Sequence, residues 1–250
     1  MILLYDGTFE GFLSLVYEVY YKKLQPQKIV KQLPNTLLLD EIIEIHYDEQ
    51  NSLKVLNSIK EKFTKKNFEL ILNIFMCDSK QFELDLLYFI MLGFKEQREL
   101  GNITLSFIQN IQNLQKELFR HNHKMTGFVR FIELEDGTLY AKIETKFNVV
   151  YFLGKHFLKR FNNQKYIIHD MKRQIAFIKN ESFVGVQNIA SFQEPKVSID
   201  EEKFSKLWKT FFDSVAIESR TNKKLQQQMV PLIYREFMNE FKNENRDKTT

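Results

Sequence analysis

Hydrophobic positions recur at helical spacing through most of the first half of the chain. After a short apolar run, "ILLYD", the apolar residues from Phe9 to Tyr20 repeat every three to four positions behind Thr8, a residue type that caps helices. The same spacing predicts further helices over 51–63, 67–76, 80–97 and 103–122. We therefore expect one short strand followed by a helical part over about 8–123.

The periodicity changes to alternation in the middle of the chain. The segments "TGFVRFIEL" and "TLYAKIE" alternate around "EDG", which predicts a β-hairpin that turns at Asp136 and Gly137. A predicted helix runs from Val149 to Phe161, and "KYIIHD" and "QIAFIK" predict two more strands. Residues from about 125 to 178 therefore form a predicted β-β-α-β-β unit, with a loop over 180–199 after it.

The last part of the chain is predicted to be helical again, over about 200–241. Ser198 or Asp200 can cap a helix through "EEKFSKLWKTFFDSVAIE", and another helix follows Pro231. We expect one face of the first of these helices to pack in the core, through Leu207, Trp208, Phe211, Phe212, Val215 and Ile217. The polar tail over 244–250 is expected to fray.

These elements predict an α+β fold, rich in helices, with one mostly antiparallel sheet built on the β-β-α-β-β unit. Helices from both ends of the chain would flank that sheet. A chain of 250 residues can bury a sizeable core, and we expect a single domain over 1–243. The strand at residues 1–5 would join the sheet and so tie the two ends of the chain together.

Composition excludes several classes of site. A single cysteine, Cys77, excludes an internal disulfide and a cysteine-rich zinc site. No apolar run approaches the roughly 18 residues of a membrane span, and "MILLYDGTFEG" lacks the charged leader of a signal peptide. We therefore expect a cytoplasmic protein without a membrane partner, a metal site or another cofactor.

Positive charge is concentrated in one segment of the sequence. The net charge is only +4, but residues 120–173 hold 11 basic and 5 acidic side chains, together with four of the five histidines. A basic patch of this kind indicates a partner that carries phosphates, although charge alone does not name that partner.

The predicted helix from Val149 to Phe161 places His156 and Arg160 near the middle of its apolar arc. An arginine that points at a core costs several kcal/mol unless it is paired. Two interpretations fit. Either Arg160 is paired with an internal carboxylate, Asp170 or Glu144, and His156 is a satisfied buried histidine, or this face borders a cleft where both groups meet an anion.

The remaining histidines and carboxylates predict little chemistry by themselves. His121 and His123 are spaced like ligands on an extended chain, but the sequence has no H-E-x-x-H motif. His169 and Asp170 are consecutive strand residues that point to opposite faces, so Asp170 fits a turn better than a catalytic pair.

Both ends of the sequence carry further polar candidates. Asp6 and Glu10, in "YDGTFEG", suit the first turn of a helix, where the helix dipole favours acidic residues, and no phosphate-loop motif accompanies them. In "ESRTNKK", Arg220 and Asn222 fit either a polar helix end or a second contact to phosphates.

Three long stretches resemble an uncharacterised bacterial family, a domain of unknown function described as a probable DNA metabolism protein. They are "YDGTFEGFLSLVYEVY", "GFVRFIELEDGTLYAKIETKFNVVYFLGKHFLKRFNNQKYIIHD" and "LWKTFFDSVAIESRTNKKLQQQMVP". The positions that match the family's motifs are Tyr5, Asp6, Gly7, Glu10, Gly127, Phe128, Arg130, Phe131, His156, Phe157, Arg160, Phe161, His169, Asp170, Trp208, Arg220 and Asn222.

The resemblance implies a setting in DNA metabolism rather than a reaction. Members are typically encoded beside a radical-SAM protein assigned to DNA modification or repair, and in some bacteria the domain is fused to a uracil-DNA-glycosylase-like domain. This chain lacks the three-cysteine cluster of radical-SAM enzymes, so that chemistry would belong to a partner. The family has no established catalytic residues, but the resemblance adds weight to a functional role for His156 and Arg160.

The leading hypothesis is a nucleic-acid-binding module that assists DNA repair or modification, with DNA favoured over RNA. Its phosphate contacts would come from Arg120, His123, Arg130, His156, Arg160, Arg173, Arg220 and Asn222. Phe128 or Tyr166 would stack on a base if the strand is single.

Two alternatives stay open. In the first, the protein is a DNA-processing enzyme that uses His156 or His169 as general acid–base, with Asp6, Glu10 or Glu144 as its partner. In the second, it is a scaffold for the radical-SAM protein and does not bind DNA.

Overall fold

The computed structural model describes residues 1–33, 41–189, 196–217 and 222–241. The chain divides into two compact units, Met1–Phe119 and Arg120–Thr250. The predicted α+β fold, with a mostly antiparallel sheet flanked by helices, is confirmed. The single domain over 1–243 stays a prediction. Among the described residues, every helix is too short or too polar to cross a lipid bilayer.

The first unit is built around a small parallel sheet. Strand β1 (Ile2–Leu4) lies between β2 (Lys28–Val30) and β3 (Ile42–Glu44) and is parallel to both. Residues 1–5 therefore do not extend the antiparallel sheet, and that expectation is wrong. The reason is local: helix α1 (Phe9–Lys22) follows β1 directly and provides the crossover that a parallel neighbour requires.

Helices complete the first unit much as the periodicity predicts. They are α2 (Glu49–Lys62), α3 (Lys65–Phe75), α4 (Glu83–Lys95), a 3-10 helix (Gln97–Gly101) and the first part of α5 (Ser106–Phe128), whose residues from Arg120 on belong to the second unit. The N-caps of α1, α2 and α3 are Thr8, Asp48 and Thr64, and each side chain accepts a hydrogen bond from a backbone N–H three residues on. The apolar faces of these helices bury one continuous core that includes Leu3, Phe12, Leu15, Ile59 and Phe89.

The second unit contains the larger sheet, in the order β4-β5-β6-β7-β8. Its strands are β4 (Ile132–Glu133), β5 (Leu139–Ile143), β6 (Tyr166–Asp170), β7 (Ile175–Lys179) and β8 (Val184–Asn188). All neighbours are antiparallel except β5 and β6, which are parallel and joined through helix α6 (Val150–Arg160). The predicted hairpin turn is present: Gly137 has φ +76°, and the Asp136 carboxylate accepts hydrogen bonds from the Thr138 amide and hydroxyl.

Two details of this sheet differ from the sequence prediction. Helix α5 continues to Phe128, so β4 keeps only two residues of the predicted first strand. Strand β8 forms at the edge of the sheet inside the predicted loop. Its residues are mostly exposed, and only Val184 and Val186 alternate with non-apolar neighbours, a run too short to identify a strand from the sequence.

Helix α6 packs on this sheet through a face that includes a glycine. A Cβ at Gly154 would lie 2.1 Å from ring atoms of Phe177, so the helix backbone approaches β7 as closely as only glycine allows. The Tyr166 hydroxyl donates to the Gly154 carbonyl at 2.8 Å, and burial raises the pKa of Tyr166 to about 12. The Lys179 ammonium donates to carbonyls at the end of α6, which fixes the helix terminus.

The C-terminal part is helical, as predicted, in shorter pieces. It comprises α7 (Glu201–Ser214), α8 (Lys223–Met229) and 3-10 helices at Leu232–Phe237 and Asn239–Phe241. The tail over 244–250 lies outside the described residues.

Candidate nucleic-acid interface

An open cleft of about 870 Å³ lies in the second unit, between the C-terminal ends of α5 and α6 and one face of α7. Aromatic rings dominate its walls. Phe131 packs edge-on against Phe157 and Phe161, with ring centroids 4.9 and 5.1 Å away, and forms one wall. Phe204, Trp208 and Phe211 of α7 contribute the opposite set of lining rings.

The apolar face of α7 that the sequence predicts to be buried is mostly exposed: Phe212 is half-buried against Phe241, but the other members are in solvent, namely Leu207, Trp208, Phe211, Val215 and Ile217. Phe204, Leu207, Trp208 and Phe211 are 59%, 65%, 43% and 56% exposed, and their spacing places them on one side of the helix. Complete burial of such a side chain is worth about 1.5–3 kcal/mol. Among the described residues, most of the expected core face is therefore a surface, and apolar stripes of this kind are typical of surfaces that another molecule covers.

Arg130 lines the cleft, but its charge is already neutralised. One guanidinium nitrogen, Nη2, lies 2.6 Å from Oε1 of Glu240, whose side chain is only 2% exposed. Arg130 Nη1 also donates to the Gly127 carbonyl at 2.7 Å, and Trp208 Nε1 donates to the second Glu240 oxygen at 3.4 Å. This arrangement ties α7 and the last 3-10 helix to the end of α5, so Arg130 has a structural role.

Among the described residues that line the cleft, Arg160 is the cation that remains open to a ligand. It is exposed at the end of α6 and lines the cleft beside Phe157 and Phe161. Among the described residues, no carboxylate or carbonyl pairs with its guanidinium. The interpretation in which Asp170 or Glu144 neutralises Arg160 is therefore wrong for the described part of the chain.

His156 and Arg160 do not point into the core as their helical positions predict. Both are exposed, because the buried face of α6 is centred on Val150, Leu153 and Phe157 and includes Gly154. A helical projection that gives a glycine no apolar weight displaces the centre of the arc toward these two polar residues, whereas Gly154 is in fact buried. His156 contacts only the edge of the neighbouring Phe157 ring among the described aromatic contacts.

Arg173 is held by its own turn and lies apart from the cleft lining. Its Nη1 is 2.6 Å from Oδ2 of the fully buried Asp170, and it also donates to the Thr145 carbonyl. The other Asp170 oxygen accepts the backbone N–H groups of Lys172 and Arg173. Asp170 thus shapes the turn between β6 and β7 while it compensates the charge of Arg173.

The two aromatic residues proposed for base stacking are engaged elsewhere. Tyr166 is fully buried, and Phe128 stacks on Tyr234 with ring centroids 5.5 Å apart. The rings that are exposed and able to stack on a base are instead those of Trp208 and Phe211 in α7, which the sequence predicts to be in the core.

The other predicted contacts that the structure describes do not line the cleft. Arg120 and His123 are exposed on α5 but do not line the cleft. Asn222 caps α8, where its side chain accepts a hydrogen bond from Leu225 N at 2.9 Å. Arg220 lies outside the described residues. The structure therefore brings together Arg130 and Arg160, but not the full predicted set.

The acid–base hypothesis gains no geometric support within the described residues. His169 is buried, with Nδ1 2.8 Å from the Tyr140 hydroxyl, and no described hydrogen bond joins Glu144 to a histidine. In the first unit, Asp6 accepts hydrogen bonds from the Thr8 amide and hydroxyl, and Glu10 is exposed. No group of three potential metal ligands occurs among the residues that the structure describes.

Comparisons with known proteins identify the chain by family. No curated protein and no solved structure matches it. The family profile described as domain of unknown function DUF4130 matches residues 80–240, which include every described residue that lines the cleft. The match covers more than half of the sequence, and the chain therefore belongs to the DUF4130 family of domains of unknown function.

Proposed function

We propose that the protein is a nucleic-acid-binding module of DNA metabolism that assists repair or modification, with a radical-SAM protein as its partner in that chemistry. The DNA setting and the partner come from the resemblance of the sequence to a family described in those terms. The binding role comes from the cleft of the second unit, and it can be tested without reference to the partner.

The observation that carries the proposal is the combination of Arg160 with exposed aromatic rings in one open cleft. Trp208 and Phe211 offer apolar faces to a ligand, and Arg160 has no partner among the described residues. Proteins that bind single strands use this combination, because bases stack on aromatic side chains while cations contact the phosphates.

The proposed ligand is single-stranded rather than duplex DNA. The bases of a duplex are stacked on one another, and their faces are not available to Trp208 or Phe211. The cleft also presents few unpaired cations, since Glu240 neutralises Arg130. Affinity for a duplex would depend mainly on contacts between unpaired cations and the phosphates of the backbone.

The test is a titration with fluorescently labelled single- and double-stranded oligonucleotides between about 50 and 200 mM salt. Trp208 is the only tryptophan of the chain, so its intrinsic emission reports directly on the cleft. We expect the single strand to bind more tightly and to quench this emission. We expect Trp208→Ala to weaken binding by about tenfold or more.

Arg160→Ala supplies the charge test. It should lower the affinity for the single strand severalfold, whereas Lys159→Ala, an exposed neighbour with the same charge that does not line the cleft, should not. Absence of binding by the wild-type protein, or equal effects of the two substitutions, would contradict the proposal.

The exposed face of α7 also favours a second candidate function, a scaffold for the radical-SAM protein. Leu207 and Phe211 are more than half exposed, and protein partners cover apolar stripes of this kind. Co-purification of the two proteins, abolished by Leu207→Glu and accompanied by no oligonucleotide binding, would favour the scaffold over the nucleic-acid module.

A further inference from the structure

A second aromatic and basic pocket lies in the first unit, between α1, α2 and the end of α4. It has a volume of about 140 Å³. Three tyrosines of α1 and one phenylalanine of α4 form its aromatic wall, two lysines of α2 line it as well, and Val16, Val55 and Ser58 make up the rest of the lining. The aromatic and basic residues are Tyr17, Tyr20, Tyr21, Phe94, Lys54 and Lys62.

Two of the three tyrosines are largely exposed, and their rings lie close together. Tyr20 and Tyr21 are 51% and 64% exposed, and the rings of Tyr17 and Tyr21 lie 4.3 Å apart at their centroids. Phe94 contacts Tyr20 at 6.3 Å and Phe63 at 5.5 Å, which holds that side of the pocket in place. Aromatic side chains grouped and exposed in this way suit a planar ligand.

The two lysines are oriented by rings and not by carboxylates. Lys54 Nζ lies 5.5 Å from the centre of the Tyr17 ring, and Lys62 Nζ lies 5.7 Å from that of Phe94. Neither ammonium forms an ion pair with a carboxylate among the described residues, and no acidic side chain lines the pocket. The pocket therefore carries two uncompensated positive charges beside apolar ring faces.

The size of the pocket limits the ligand that enters it. A volume of about 140 Å³ is well below the roughly 300–1,000 Å³ of pockets that enclose a whole small molecule. One flat ring system fits in this volume, so the rest of the ligand must lie outside it. There Lys54 and Lys62 can pair with a negatively charged group of the ligand. A neutral aliphatic ligand would leave both lysines unpaired, and an aliphatic anion or an acidic peptide would make no use of the aromatic rings.

We infer that this pocket binds one nucleoside phosphate unit, with the base against Tyr20 and Tyr21 and the phosphate near Lys54 and Lys62. The unit can belong to a single strand or to a free nucleotide, since both present the same chemistry. The inference extends the proposed nucleic-acid function to a second site, but it uses only residues of the first unit. Each of the two sites can therefore fail without the other.

Calorimetric titration of the full chain with deoxyadenosine monophosphate, deoxyadenosine, inorganic phosphate and a short oligo-deoxyadenylate tests the inference. We expect the monophosphate to bind more tightly than either the nucleoside or phosphate alone. The nucleoside lacks the phosphate that the lysines would bind, and phosphate lacks the base that the tyrosines would contact. Because the cleft is also proposed to bind single strands, only the part of the oligonucleotide affinity that Tyr21→Ala removes is assigned to this pocket. If that part exceeds the affinity of the monophosphate, the site belongs to a strand, and if the two are equal, it belongs to a free nucleotide.

Two substitutions locate the binding. Tyr21→Ala and Lys62→Ala should each weaken binding of the monophosphate by about tenfold. Lys60→Ala, an exposed lysine of the same helix outside the pocket lining, is the matched control and should change it by less than about twofold. Tyr21 is largely exposed, so its loss should leave the thermal unfolding midpoint near that of the wild type.

The outcome that overturns the inference is the absence of monophosphate binding, or binding that Tyr21→Ala, Lys62→Ala and Lys60→Ala leave equally unchanged. The emission of Trp208 separates this result from a failure of the cleft. Quenching of Trp208 by the oligonucleotide in a wild-type protein that does not bind the monophosphate would retain the cleft in the second unit while the tyrosine pocket is rejected.

Discussion

Gly154 decides how α6 is oriented, because its missing side chain lets the ring of Phe177 contact the helix backbone. That contact rotates the buried face toward Val150, Leu153 and Phe157 and leaves Arg160 at the edge, exposed to the cleft. The close contact at this glycine thus determines whether the Arg160 guanidinium faces the core or is exposed to a ligand.

Substitution of this glycine tests that account. Gly154→Ala would place a Cβ 2.1 Å from the Phe177 ring, so either the ring or the helix must move. We expect a loss of about 1–3 kcal/mol in the free energy of unfolding, measured by urea denaturation.

The matched control for this substitution is Gly127→Ala. Gly127 is another helical glycine of the second unit, and a Cβ there meets nothing within 4 Å. It should be neutral or stabilising by up to about 1 kcal/mol. Equal losses in the two variants would show that close packing at Gly154 is not the cause.

Among the secondary-structure elements, α7 shows most clearly what periodicity can and cannot predict. Its apolar spacing correctly predicts a helix, but the same spacing describes a face in the core and a face on a binding surface. Burial depends on what packs against the helix, and that information lies in distant residues such as Glu240 and Arg130. Local turn chemistry is more informative, as the predicted turn at Asp136 and Gly137 illustrates.

The position of α7 should depend on Glu240. Glu240→Gln keeps the shape of the side chain but removes the charge that compensates Arg130. Loss of a buried partner costs about 3–5 kcal/mol, and a quarter of the Arg130 side chain is exposed, so we expect about 2–3 kcal/mol in urea denaturation. The emission of native Trp208 should also shift, since its indole N–H loses a charged acceptor.

Glu181→Gln serves as the control for that measurement. Glu181 pairs with Lys165 at 2.9 Å, but both side chains are largely in solvent. Its substitution should leave the unfolding midpoint and the Trp208 emission unchanged. If the Glu240 variant behaved in the same way, the ion pair would not be what holds α7 in place.

Across the molecule, the number of basic residues in the sequence overestimates the number of cations that are available to contact phosphates. Residues 120–173 hold 11 basic side chains, but Asp170 and Glu240 neutralise Arg173 and Arg130, and Lys179, just beyond this segment, is bound to carbonyls. The fold class and the helices could be predicted from local patterns. The pairing of each cation could not, because its partner is up to 110 residues away in the sequence.

The salt dependence of binding measures how many cations contact the strand. For a single strand, the slope of log affinity against log salt concentration is about −0.7 per phosphate contact. If Arg160 and one or two exposed neighbours make the contacts, the slope should lie between about −1 and −3, far shallower than eleven basic residues would give. Arg160→Gln should reduce its magnitude by about 0.7, whereas Arg160→Lys, which keeps the charge, should preserve it. A steep slope that Arg160→Gln leaves unchanged would mean that the strand is held by cations outside the cleft, and the aromatic rings of α7 would then need another ligand.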